Sequence, residues 1–224
     1  MASSHLQANH LHTRLESKST PVFLRTITLD DAPFHAALLS DPANGADPNS
    51  KPMTEESSRG AITKQIASAD VPTIYDEDLG RVLSGPSRVN MMVCLTEPDL
   101  PSSSGNGDII IGLGGYGAIK DWERDGKKIR AGDVGVLLDP KYRGKGYAVE
   151  AMKLAIEWAF TPVSKGGPQL DLVTITTLED NAAMVALTEQ KLGQAGKGVL
   201  RPAEFDENKQ EKYWEVNAQQ WKGI

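Results

Sequence analysis

The sequence predicts an α+β fold of the α/β type, a mixed sheet flanked by helices. Three observations carry this. Short β-branched or apolar runs alternate with helical periodicities from Val22 onward. The stretch DVGVLLDPKYRGKGYAVEAMKLAIEWAF, Asp133 to Phe160, reads as strand, tight turn and helix. No internal repeat and no second hydrophobic core is evident. The 224 residues suffice to bury a sizeable core. They divide into an expected flexible arm over residues 1–20 and a single domain over residues 21–224.

The elements follow in order. The polar, Ser/His-rich start has no periodicity. Val22 to Ile27 is a first strand, and Leu29-Asp30-Asp31-Ala32 opens a helix through about Leu39 with acids at its positive end. Pro42, Gly45, Pro48 and Pro52 make Ser40 to Met53 a loop, and Thr54 starts a second helix to about Ala69. Asp70 to Arg88 reads as irregular, Val89 to Leu95 as a strand, Glu97 to Asp108 as a long polar loop and Ile109 to Ile111 as the returning arm of a hairpin. Gly112 to Gly117 spells GxGxxG. A dinucleotide site needs a helix directly after such glycines. The charged, glycine-broken run that follows has no helical stripe, so a glycine-rich hairpin strand is preferred.

Val134, Val136 and Leu138 share one face of the next strand, and Asp139-Pro140 ends it, because proline cannot donate to a ladder. Arg143-Gly144-Lys145-Gly146-Tyr147-Ala148 then turns the chain into a helix with Ala148, Ala151, Met152, Ala155, Ile156 and Ala159 on one side. Such a start leaves N–H groups unpaired at the positive end of the helix dipole beside two cations, which is an anion site suited to phosphate. Thr161 to Gln169 is a connection and Leu170 to Thr177 a β-branched strand. Asp180 or Asn181 caps a helix through Leu192 that stops at Gly193. Gly196 to Glu207 reads as a loop and Lys212 to Val216 as the last strand.

Arg143, Gly146 and Ala148 occupy the positions of the acyl-CoA signature of the GCN5-related N-acetyltransferases (the GNAT superfamily): Arg or Gln, two residues, Gly, one residue, Gly or Ala. With the Asp-Pro strand end before it and the Glu-Ala helix after it, the run resembles the branch of ribosomal-protein N-terminal acetyltransferases. LRTITLDDA near the start resembles the same branch. The resemblance implies a central, mostly antiparallel sheet, acetyl-CoA as cosubstrate, and direct transfer of acetyl to a primary amine, either a protein N-terminus or a small molecule. It places the pyrophosphate on the amides of Gly144, Lys145, Gly146, Tyr147, Ala148 and Val149 next to Arg143. It runs the pantetheine arm along Val136, Leu137 and Leu138 like an added strand, and brings Asn181 to the cofactor, although a helix cap is the equal alternative there. Asp133 is the first candidate for the base, since related enzymes often carry a glutamate where this strand opens. The tyrosine or serine that many relatives use as acid is replaced at Thr188 and Met184, so that either the coenzyme A thiolate leaves with solvent help or Tyr213 or Tyr147 approaches from elsewhere. The same replacement admits a different class, a noncatalytic acyl-CoA-binding module.

Composition bounds the rest. Cys94 is the single cysteine, and all four histidines precede the proposed core, so a histidine triad or a zinc site is not expected and no metal is assigned. A net charge of −6 disfavours nucleic acid and suits cationic partners. No run reaches the roughly 18 apolar residues of a membrane span. MASSHLQANH lacks a secretory apolar core, so a cytoplasmic protein is the expectation.

Overall fold

A computed structural model describes residues 5–45, 52–96, 108–204 and 206–221. The expected polar loop before Asp108 lies outside them. The elements are β1 (His5–Ala8), β2 (Arg14–Glu16), β3 (Val22–Thr26), α1 (Ala32–Ser40), α2 (Glu55–Ala69), β4 (Thr73–Asp76), β5 (Arg81–Ser84), β6 (Val89–Leu95) and β7 (Ile109–Arg124). Then come β8 (Lys127–Leu138), α3 (Tyr147–Ala159), β9 (Leu172–Leu178), α4 (Ala182–Ala186), β10 (Val199–Ala203) and β11 (Asp206–Val216). The main sheet has eight strands in the order β10-β11-β9-β8-β7-β6-β3-β2, and β1-β4-β5 form a second, three-stranded sheet. Every pairing is antiparallel except β8 with β9, where α3 provides the crossover.

The central strands are apolar on both faces because helices cover both faces. Leu24, Met91, Val93 and Ile111 pack with Met152, Ile156 and Trp158 of α3. Their immediate neighbours in sequence, Phe23, Met92, Cys94 and Ile110, pack with Ala32 of α1 and Ile62 of α2. A second hydrophobic cluster therefore exists after all. It uses the opposite faces of the same strands, so no separate apolar segment announces it.

Residues 5–16 differ from the expected frayed arm. They form β1 and β2, which pair with β4 and β3. Between them His10 is fully buried: its Nε2 lies 2.8 Å from the Thr73 hydroxyl, its carbonyl accepts the Thr26 hydroxyl at 2.5 Å, and its ring meets Trp158 edge to face. The cause is non-local. Segments this short and polar carry no periodicity of their own and become strands only through partners far along the chain. The same holds for β4 and β5 inside the stretch read as irregular, and for β10 inside the stretch read as a loop.

Removal of residues 1–20 is expected to lower stability by about 2–6 kcal/mol, since the buried Thr26 and Thr73 hydroxyls would each lose a partner; chemical denaturation of the truncated chain checks it. Burial, and secondarily the Arg130 charge, pushes the His10 pKa down from 6.5 to about 4. The unfolded chain thus takes up that proton first, and stability present above pH 6.5 is lost as the pH falls towards 4. His10→Gln should flatten the melting-temperature profile across that window.

The GxGxxG run lies within β7, and no helix follows it. A Cβ on Gly112 would sit 2.3 Å from the Leu137 carbonyl, and Gly115, at φ +83°, would carry one 2.5 Å from that of Val89. These glycines let neighbouring backbones close up.

Candidate active site

β8 and β9 pair at only three positions, Ala131 with Leu172, Gly132 with Val173 and Asp133 with Thr174. Past Asp133, β8 continues to Leu138 along β7, while β9 continues to Leu178 along β11. The two strands thus open as a V with Asp133 at its vertex. Between Val134 and Leu138 the edge of β8 that faces away from β7 has no strand partner among the described residues.

The turn that follows is built by glycine. Asp139 caps the short 3-10 turn Pro140–Tyr142 by accepting from the Lys141 amide at 3.0 Å. Gly144 and Gly146 then adopt φ +74° and +82°, values open to glycine and costly for other residues, and Gly146 is the N-cap of α3. The α3 ladder begins with the Glu150 amide donating to the Gly146 carbonyl. Among the described residues, no protein acceptor serves the amides from Gly144 to Val149. A Cβ at either glycine would meet nothing within 4 Å, so open space lies over these amides.

A cavity of about 500 Å³ occupies the α3 side of the V. Val136, Leu137, Leu138, Arg143, Gly144, Gly146, Tyr147, Ala148, Val149 and Asn181 all line it, with Met184 and Leu187 on the far wall. Among the expected cofactor residues only Lys145 stands outside the lining, its ammonium 5.5 Å from the centre of the Tyr142 ring. The Arg143 guanidinium donates to the Leu138 and Ala43 carbonyls and to the Asn44 side chain, tying the loop after α1 to the cavity rim. Asn181 caps α4: its Oδ1 accepts from the Met184 amide at 3.2 Å and its Nδ2 donates to Thr177 Oγ1. α4 then widens into a π-helical turn over Leu187–Lys191 on the cavity wall, and Gly193 follows with φ +65°.

Asp133 faces the other way, as strand alternation requires, into a second cavity of about 560 Å³ on the face of the sheet opposite α3. Its Oδ1 accepts both the Thr174 hydroxyl at 2.7 Å and the Thr176 hydroxyl at 2.8 Å. No described group donates to Oδ2. Burial raises the pKa of this carboxyl above the usual aspartate value; the two threonine hydroxyls oppose the rise, and the nearby Glu211 charge adds to it. A partly desolvated carboxylate with one oxygen held and the other open can accept a proton.

Several lining residues escaped the sequence reading. Thr174 and Thr176 were visible only as members of a β-branched strand, although their two-residue spacing already put them on one face. Glu211, buried on β11, and its partner Arg201 on β10, 2.6 Å away, were not singled out either, whereas Tyr213 of β11, already an acid candidate, donates its hydroxyl to Glu215 at 2.8 Å. Their register against β9 has no local signal. Of the acid candidates, Thr188 is fully buried and its hydroxyl finds no partner among the described residues, while Met184 carries no proton to give. Tyr147 lines the first cavity and Tyr213 the second. The Cys94 thiol is buried and pushed up to about 12, chiefly by desolvation, so it is no nucleophile. Among the described residues no cluster of His, Cys, Asp or Glu is arranged to hold a metal, and no helix is long and apolar enough to cross a membrane.

Comparison with known proteins bears on the fold and the family. An N-acetyltransferase 9-like protein of Caenorhabditis briggsae is 40% identical over 63 residues, a match covering 28% of this chain and 29% of that protein. Among solved structures, the ribosomal-protein alpha-N acetyltransferase RimL superposes with a TM-score of 0.60 at 15% identity, covering 93% of this chain and 96% of its own. The spermidine N-acetyltransferase of Vibrio cholerae, solved with CoA and spermine, gives 0.56 at 14% identity, covering 90% and 98%. Likeness at these identities shows a shared fold. The family model for the acetyltransferase (GNAT) domain matches residues 22–193, and this chain, with its split β8–β9 pair and glycine-built turn, belongs to that family.

Proposed function

We propose that this chain transfers acetyl from acetyl-CoA directly to a primary amine, binding the donor in the α3-side cavity and the acceptor in the Asp133 cavity. The observation that carries the reading is the set of unserved amides from Gly144 to Val149 under open space, beside the unpaired edge of β8. A diphosphate fits there, because it brings the acceptors those amides need and meets the positive end of α3. An amide-bearing arm fits along Val136 to Leu138, where backbone groups await a strand-like partner. When bound, acetyl-CoA supplies a thioester carbonyl to be attacked.

The rest falls to the chain's own residues. The V brings the two cavities to one strand, so both reactants are held at the vertex and the encounter becomes effectively unimolecular. Asp133 Oδ2 takes the proton from the acceptor ammonium, leaving the lone pair that must attack, while Thr174 and Thr176 hold the other oxygen still. Unpaired N–H groups of the β8 edge donate to the oxygen on which charge develops. The leaving thiolate has no evident protein acid at Thr188 or Met184, and Tyr147 is the phenol on the donor's cavity.

Mixing the full chain with acetyl-CoA and a panel of amines, and following thiol release, tests this. Turnover that depends on an amine supports it. Tight acetyl-CoA binding with no turnover on any amine would instead favour the noncatalytic acyl-CoA module, which the missing tyrosine and serine suggest.

A further inference from the structure

The acceptor cavity continues beyond Asp133. Among the described residues no helix residue lines the cavity on this face of β8, β9 and β11, and a further cavity of about 460 Å³ adjoins the first, with Tyr213 as the common wall. That wall is fixed, since the Arg201 guanidinium lies 4.2 Å from the ring centre and the phenol donates to Glu215. Trp122 lines the near cavity, and Leu172 and the exposed Val199 line the far one. The groove is thus amphipathic and longer than a single small amine needs.

Its charges are already matched on the acidic side. Arg201 pairs with Glu211 at 2.6 Å and with Glu204 at 3.7 Å, and Arg124 grips Glu215 through both nitrogens at 2.7 and 2.9 Å. Asp133 is the one lining carboxylate that makes no ion pair among the described residues, the Arg201 charge acting on it only from farther off. The basic side is not matched. Lys120 in the near cavity is exposed and has no carboxylate partner among the described residues, and Lys197 in the far cavity reaches only the Gly193 carbonyl and Gln194 Oε1, each at 3.3 Å. A polyamine carries two or more ammonium groups and needs as many open carboxylates. This groove offers one, with two unmatched lysines along it.

From this geometry we infer that the acceptor is the α-amine of a polypeptide N-terminus that carries acidic side chains within its first few residues, the amine at Asp133 and the following chain laid past Tyr213. The inference rests on the proposed transferase reading and narrows its acceptor. Proton chemistry points the same way. At about pH 7 roughly one α-amine in six is neutral, against about one alkyl amine in 2,500, so a single modest base suffices for the former. In the step, the ammonium gives one proton to Asp133, the nitrogen forms the amide bond as the carbon–sulfur bond breaks, and the nitrogen's second proton passes to the departing thiolate, which leaves as the coenzyme thiol.

The test compares, with the full chain and saturating acetyl-CoA, a short peptide with Asp or Glu at its second and third positions, the same peptide with Lys there, an N-blocked peptide containing lysine, and spermidine. The acidic N-terminal peptide should exceed spermidine in kcat/KM by about 100-fold and the lysine-bearing peptide by about 10-fold. Lys120→Glu should narrow or reverse the second ratio, with acetyl-CoA affinity unchanged as evidence of a folded protein. Spermidine or the N-blocked peptide turned over as well as the acidic peptide, or Lys120→Glu leaving the ratio untouched, would overturn the inference while leaving the transferase reading intact. Failure of the chain to bind acetyl-CoA would instead bring down both.

Discussion

Gly146→Glu is expected to abolish acetyl-CoA binding, with affinity falling by about 100-fold or more, a loss of roughly 2.7 kcal/mol. Gly146 caps α3 at φ +82° and exposes its amide beneath open space. A carboxylate there would occupy that space and bring negative charge to the place where the proposed diphosphate sits. The fold should survive. A Cβ meets nothing within 4 Å, so the cost is confined to the left-handed backbone, about 1–2 kcal/mol. Gly146→Ala separates the two effects: it carries the same backbone strain without the charge, and it should retain most of the affinity. Equal losses in the two variants would place the cause in the backbone and remove the support for an anion site.

Asp133→Asn is expected to lower kcat/KM by about 10²- to 10⁴-fold while acetyl-CoA still binds as in the wild type. Asparagine keeps the shape and an oxygen for the Thr174 and Thr176 hydroxyls, but it cannot take a proton. The pH profile carries the sign. Burial raises the Asp133 pKa, so wild-type activity should fall as the pH drops through that raised value, at higher pH than an ordinary aspartate would give. The variant should lose that limb. Stability runs the other way. The folded protein holds the proton on Asp133 more tightly than the unfolded chain, so the ionised group opposes folding above its raised pKa, and Asp133→Asn should melt no lower than wild type near neutral pH. An unchanged rate with an unchanged acid limb would exclude Asp133 as the base.

What the sequence revealed is local chemistry. The turn from Arg143 to Ala148 was legible because glycines, proline and a helical stripe follow one another within a few residues, each with its own backbone consequence. Asp133 could be singled out because it begins the apolar run before the turn, although β8 itself starts six residues earlier, at Lys127. Its surroundings could not. The Thr174 and Thr176 hydroxyls reach it because β8 and β9 pair in parallel at only three positions, and Tyr213, Glu211 and Arg201 arrive through two further antiparallel registers. Those registers join residues tens of positions apart and leave no periodic trace. The N-terminal strands show the same limit: β1 and β2 are polar and short, and they exist because β4 and β3 offer open edges. Burial of His10 follows from that docking.

Titration of the full chain with acetyl-CoA, followed residue by residue in amide proton–nitrogen spectra, tests the central claim most directly. The amides from Gly144 to Val149 should shift together and saturate at one molecule per chain, with Val136 to Leu138 moving in step and the β1-β4-β5 sheet unmoved. Saturation with those turn amides unmoved, or an absence of saturable shifts anywhere, would contradict the account.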